Sequence, residues 1–416
     1  MAYLLGVVLF ALAILISVSL HEAGHMVTAK AFGMKVTRYF VGFGPTIFSF
    51  RKGETEYGLK GIPLGGFCKI VGMTPQDDDV EPADQPRAMW RFPLWKRTVV
   101  MSAGSITHFG LAAIAIWVSA ISLGLPNPAF PSTESEILAE PARIAVADCV
   151  IAEQVARECA PGDQASPAKA ANLQNGDVIT AVNGVQVSSW GDFQAALRDV
   201  PPGTAATISY LRDGRAEETT ANLATVKRPP LDNPSGEAKD VAALGVGLVA
   251  TTPSWVTYGP VEAVGASGEF LGTLATNTVD ALQRLPQKIP PLWDAVTGGE
   301  RDMDTPISVV GASRLGGEAV DNDAWEVFIL LFISLNFFVG VFNLLPLLPL
   351  DGGHIAIAWF ERARSWLYGK IGRADPGHVD YLKLMPLTYA VILIGGAFTL
   401  LTVTADVINP ITLFSR

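Results

Sequence analysis

The sequence predicts a membrane α-helical protein with four apolar spans and a water-exposed α/β domain inserted between the second and the third. Three observations carry this reading. The 416 residues are 49% hydrophobic and only 17% charged, with a mean hydropathy of +0.32. That is too apolar for an ordinary soluble enzyme and too interrupted for a bundle made wholly of membrane helices. Four segments reach the length of about 20 apolar residues that the hydrocarbon core demands. Between the second and third of these, the block 125–325 carries turns, alternation and acidic character instead.

The first span runs from about Ala2 into His21-Glu22-Ala23-Gly24-His25. It resembles a signal peptide only in passing, for it lacks a basic start and cleavage near it would destroy the polar motif at its end. The second span covers about Thr98 to Leu123, the third about Val327 to Leu348, and the fourth about Leu384 to Val407. Orientation follows the basic residues near the spans. Residues 26–97 hold 11 Lys and Arg, and 361–385 hold 5, so both loops are expected to be cytoplasmic. The 125–325 block has 13 Lys and Arg against 26 Asp and Glu, which suits a translocated domain. The net charge of −10 excludes a general nucleic-acid binder, which needs a basic face.

The HEAGH run carries the most specific chemistry. Residues four apart on a helix share a face, so His21 and His25 can offer two imidazole nitrogens to one metal ion. Glu22 then lies beside that metal, where a carboxylate can take a proton from water. Ionisable groups near membrane depth cost about 2.5–3.5 kcal/mol at mid-bilayer and less near an edge, so they are expected where they line a cavity or bind something. A catalytic zinc takes three protein ligands and keeps an open position, so a third ligand must lie elsewhere. The candidate stands in Asn343-Leu344-Leu345-Pro346-Leu347-Leu348-Pro349-Leu350-Asp351-Gly352-Gly353-His354. There the prolines break the helix, the glycines let the backbone turn closely, and Asp351 is one carboxylate in an apolar stretch. His354 is an alternative ligand.

In the first loop, short β-prone pieces at Thr46–Phe50, Glu56–Lys60 and Phe67–Val71 are punctuated by Gly and Pro. They suggest hairpins, although the residues alone favour a surface loop over a sheet against the membrane. In the inserted block, Ser166 to Gly184 predicts a short helix ending near Asn175-Gly176, a strand Val178–Val182 and an Asn183-Gly184 turn. A second helix over 190–197 and strands at 206–212 and 218–224 complete a small α/β module. Its SPAxxAxLxxGDxIxxVNG run resembles a bacterial PDZ domain. Lys227 to Lys239 reads as a polar connector, and 243–250 as a closing strand. Cys149 and Cys159 are close enough to bridge in an oxidising compartment, while Cys68 is expected to be unpaired. Residues 261–298 show helical spacing, either packed on the module or lying on the outer membrane face.

HEAGH at the end of a first span together with NLLPLLPLDGGH near a later one resembles the site-2 protease family of intramembrane metalloproteases. The single PDZ-like insert resembles its bacterial regulated-intramembrane-proteolysis branch. The resemblance implies Zn²⁺ on His21, His25 and Asp351, with Glu22 as base and His354 beside the ligands rather than among them. It places Gly65-Gly66-Phe67 in a membrane-associated β-loop, against the plain loop the residues favoured. It also implies single-span membrane proteins as substrates, anti-sigma factors or signal-peptide remnants, and a bacterial inner-membrane location with the site towards the cytoplasm. Two departures stand out. Where family members often carry a GPxxN-like motif, this chain has Gly104-Ser105-Ile106-Thr107-His108, so His108 is a polar neighbour of the site or merely interior. Asn343 matches the family pattern and is a candidate for binding substrate backbone or steadying the transition state, while Asn336 stands seven residues earlier, a longer spacing than is usual in the family.

The expected architecture is thus four transmembrane helices with a membrane-associated β-loop at about 40–73 and an inserted extracytoplasmic α/β PDZ-like domain. Its parts are a membrane core 1–125, the PDZ-like domain 126–250, a juxtamembrane amphipathic connector 251–325 and a second membrane core 326–416. The expected function is a zinc endopeptidase that cuts transmembrane segments. Two rivals are a catalytically silent scaffold that binds peptide ends and a peptidase for soluble substrates at the cytoplasmic face.

Overall fold

A computed structural model describes residues 1–77, 80–151, 159–230 and 236–414. The chain divides into a unit formed by Met1–Leu125 with Thr257–Leu413, and a second centred on Pro126–Val256.

The first unit begins with helix α1 (Ala2–Ala31), which continues unbroken through the HEAGH motif. Most of its apolar side chains, among them Leu4, Leu5, Val8, Leu12 and Ile16, are exposed, as lipid-facing residues are. It ends in a left-handed turn at Gly33 (φ +85°), where the Met34 N–H donates to the Ala29 carbonyl (2.9 Å), a closure that glycine permits without steric cost.

Two long strands follow, β1 (Val36–Lys52) and β2 (Thr55–Ile70). Each bends midway, and their pairings run Arg38 with both Glu56 and Lys69, Phe40 with both Gly58 and Phe67, and Ser49 with Gly58. The result is four limbs in the order 46–52, 55–60, 36–41, 66–70, antiparallel at the two outer pairings and parallel in register between 55–60 and 36–41. The surface loop that the residues alone favoured is therefore sheet. The missing signal was limb 36–41, which is paired on both sides. Among the described residues no strand pairs with the outer edge of limb 66–70.

Helix α2 (Leu94–Ser122) crosses back against α1. In the inserted unit, α3 (Glu134–Ala139), α4 (Pro167–Ala170) and α5 (Trp190–Arg198) accompany a sheet ordered 215–222, 205–212, 178–182, 185–186. Ile144, Ile179, Phe193 and Ile208 form its core. The strand Val178–Val182 and the turn at Asn183-Gly184 lie where the sequence puts them. The helix expected to reach Asn175 is a single turn, closed by the left-handed Asn172 (φ 60°). The polar connector is flanked by paired strands, Ala224–Arg228 and Lys239–Ala243, and its residues 231–235 lie outside the described residues. The expected closing strand is broken at Gly245 (φ +77°). Cys149 and Cys159 form a disulfide, and Cys68 is free.

Back in the first unit come α6 (Glu262–Arg284), α7 (Ile289–Val296) and α8 (Val309–Asp321). The stretch read as a connector thus holds a buried helix: α8 packs through Ala312, Ala319 and Val320 on Phe10 of α1. Helix α9 (Trp325–Asn343) ends five residues earlier than the expected third span, because Pro346 lacks the N–H needed to continue it. Helices α10 (Asp351–Lys370) and α11 (Met385–Ile408) complete the unit. Among the described residues four segments, Ala2–Ala31, Leu94–Ser122, Trp325–Asn343 and Tyr381–Ile408, are long and apolar enough to cross a membrane.

Candidate metal centre

His21 and His25 lie on one face of α1, and Asp351 is the first residue of α10. The chain brings the three together across more than three hundred residues. Asp351 Oδ2 is 3.4 Å from His21 Nε2 and 3.3 Å from His25 Nε2, and the two Nε2 atoms are 3.1 Å apart. Ligands about 2.0–2.1 Å from a tetrahedral zinc stand about 3.3 Å from one another, so the three atoms form one face of such a site. His25 Nδ1 is 2.7 Å from the Val100 carbonyl. A carbonyl only accepts, so Nδ1 carries the proton and Nε2 keeps its lone pair for a metal. Asp351 Oδ2 is buried without a hydrogen-bond partner, as is His21 Nδ1. A buried carboxylate oxygen without a donor is costly, and a cation between it and two imidazoles removes that cost. The donor set fits zinc. Among the described residues, no other His, Cys, Asp or Glu joins this group, which leaves a coordination position open.

The neighbouring backbone makes the approach possible. A Cβ at Gly104 of α2 would stand 2.4 Å from His21 Cε1 and 2.5 Å from His25 Nε2, so both rings occupy space that any side chain at 104 would fill. At Gly352 a Cβ would stand 2.2 Å from the Leu344 carbonyl oxygen; the segment before Asp351 folds back onto itself there.

Glu22 is turned towards the sheet. A Cβ at Gly66 would lie 3.5 Å from Glu22 Cγ, and the Cys68 backbone amide faces the Glu22 carboxylate. Limb 66–70, with its unpaired edge, therefore runs beside the carboxylate. Gly65 (φ +118°) sits under the Phe43 ring, and Phe67 stacks on Phe40 at 5.5 Å. Burial, and next the Glu22 charge, pushes the Cys68 thiol up to about 12. Almost no thiolate is present at neutral pH, so maleimide should label Cys68 in the native protein negligibly and in the denatured protein fully, read by intact mass.

The remaining sequence candidates separate. His108 is buried, with its ring centroid 5.0 Å from that of His21. Its Nδ1 lies 2.9 Å from Asn336 Oδ1 and 3.2 Å from Ser17 Oγ, and Ser17 also bonds Asn336. The Asn336 amide nitrogen donates to the Phe332 carbonyl (2.9 Å), which turns its oxygen towards His108. Asn336 is thereby linked through His108 to His21 of the candidate metal centre. Asn343 is half-buried at the end of α9. His354 stacks on Tyr381 at 5.8 Å and is not part of the metal-ligating group. Ser17 had no sequence signal beyond its place one helical turn before His21.

An HExxH helix joined by an aspartate from a second helix, set among apolar spans, defines a membrane metallopeptidase. Residues 9–372 match peptidase family M50, and the chain belongs to that family, the site-2 proteases. It is 44% identical to the zinc metalloprotease Rip1 of Mycolicibacterium smegmatis over 418 residues, covering 100% of both chains. It is 42% identical to Rip1 of Mycobacterium tuberculosis, again over 100% of both. The zinc metalloprotease RasP of Shouchella clausii is 26% identical over 84% of this chain and 88% of its own. The chain is therefore a multi-pass membrane zinc metalloprotease.

Proposed function

We propose that this protease cuts the transmembrane segments of single-span membrane proteins in regulated intramembrane proteolysis, with zinc on His21, His25 and Asp351. The observation that carries the reading is the position of the trio: its two histidines lie on an apolar span helix and its aspartate just beyond another, beside an unpaired strand edge. Zinc, when bound, supplies Lewis acidity to the scissile carbonyl and to water. Glu22 takes the proton of the attacking water and delivers it to the leaving amine. A helical substrate hides its peptide bonds in i→i−4 hydrogen bonds and must unwind before attack. Limb 66–70 offers backbone groups that hold it extended by strand addition. Exposed Phe43, Ile47, Phe48, Phe50 and Ile62 support contact of this sheet with lipid. Gly65, Gly66 and Phe67 shape the edge, His108 with Asn336 steadies the site on its other side, and Asn343, half-buried at the end of α9, is a candidate for binding substrate. His354 supports α10 rather than the metal.

In this reading the site faces the bacterial cytoplasm and the inserted unit is an extracytoplasmic PDZ-like domain. Its order of short helix, strand, Asn183-Gly184 turn, helix and hairpin supports that assignment, and it would exclude bulky ectodomains. The open coordination position argues against a silent scaffold, because structural zinc is fully ligated. Purified full-length protein should cleave a transmembrane reporter and lose that cleavage when stripped of zinc by a chelator. Cleavage of water-soluble peptides alone would sink the intramembrane reading.

A further inference from the structure

Helix α10 is not one of the four segments apolar enough to span among the described residues, yet one of its faces exposes large apolar side chains. Trp359, Phe360, Trp366 and Leu367 are each more than half exposed, and Ile371 just beyond continues the patch. On a helix wheel these four fall on one side with Ala363. The opposite side is tied to protein. Buried Glu361 pairs with Arg97 of α2 (3.7 Å), Ser365 bonds Asp375 (2.9 Å), and Arg364 donates to the Gly377 carbonyl (2.6 Å).

Two observations identify what covers the exposed face. The first is position. Trp359 Nε1 donates to Thr98 Oγ1 in the early turns of α2 (3.1 Å). There Lys96 stands over the rings of Phe32, Trp95 and Phe92 at 5.3, 5.6 and 5.7 Å. Aromatic and basic residues at the end of a membrane span mark the boundary between hydrocarbon and headgroups. The α10 face is therefore continuous with that boundary. The second is charge. Arg362, Lys370 and Arg373 are exposed around the apolar patch and make no ion pair among the described residues. Lys370 lies over the Trp366 ring at 4.2 Å. The helix's two acids, Asp351 and Glu361, are engaged within the protein. An aromatic face edged only by cations matches an anionic headgroup layer.

We propose that α10 lies along an anionic lipid surface, and that this seating holds Asp351, its first residue, against His21 and His25. The proposal rests on Asp351 being a zinc ligand. A rigid helix transmits its own placement to its first residue, so α10 lifting from the bilayer draws the third ligand away while α1 keeps the two histidines. Zinc retention becomes a readout of lipid charge.

The test uses full-length zinc-loaded protein in nanodiscs of phosphatidylcholine alone or mixed with phosphatidylglycerol. Each basic residue near an anionic surface strengthens association about five-fold. Zinc loss to a chelator should therefore be about ten-fold or more slower in the anionic discs. The triple variant Arg362→Gln, Lys370→Gln, Arg373→Gln should lose zinc at the faster rate in both. A nitroxide at Trp366→Cys should meet dissolved oxygen more readily than a water-soluble nickel chelate in anionic discs. Equal zinc loss by the unmodified protein in the two lipids, or a label open to the nickel chelate, overturns the seating. Absence of bound zinc in both lipids is a different failure, since it overturns the ligand assignment itself.

Discussion

Glu22→Gln should lower cleavage of a transmembrane reporter by about 10²–10⁴-fold while leaving the zinc content of the purified protein unchanged. The proposed zinc ligands are His21, His25 and Asp351, a group that could hold a metal ion, and Glu22 is outside it, turned towards limb 66–70. Glutamine keeps the shape and the capacity to hydrogen-bond but has no basic oxygen at neutral pH. The effect should appear in kcat more than in KM, because a proton transfer is made only as the reaction proceeds. Unchanged cleavage would remove Glu22 from the chemistry. Loss of zinc together with activity would make it a structural prop instead.

Gly104→Ala should be as damaging for a different reason. The new Cβ would lie within 2.6 Å of atoms of both imidazoles, closer than any real contact. The cheapest relief is to move the rings, and their placement is what zinc requires. Zinc binding should weaken by about 100-fold or more, read by metal analysis after dialysis, with helix content unchanged by circular dichroism. Gly110→Ala, six residues on in the same helix with nothing near its Cβ position, is the matched control and should retain zinc. Full zinc occupancy in Gly104→Ala would show that α2 can shift away at little cost.

Much of this was legible in the sequence where the signal was local. The apolar run into HEAGH and the strand at Val178–Val182 with its Asn-Gly turn each combine a periodicity with a punctuating motif, and both lie where expected. What escaped depends on partners distant in the chain. Helix α8 falls in the stretch read as a juxtamembrane amphipathic connector, because its glycines make sense only against α1: a Cβ at Gly316 would lie 2.8 Å from Phe10. Limb 36–41 has no break between it and α1 apart from Gly33, and its double pairing depends on both bends in the strands. Sequence spacing left Asn336 and Asn343 unseparated for a geometric reason. Seven residues return to nearly the same helix face, so sequence spacing does not separate them. Depth along the axis does, by about 10 Å at 1.5 Å per residue, and only Asn336 is level with His108.

The trio is assembled from residue 21, residue 25 and residue 351, with the whole inserted unit encoded between them. A chain emerging from the ribosome at about 5–20 residues per second therefore carries its HEAGH helix for roughly a quarter of a minute to a minute before Asp351 exists. On the proposed ligand set, the growing polypeptide lacks its third zinc ligand throughout that interval. The order of the chain would then work as a timer, completing the site only after the domain between the two halves has been made.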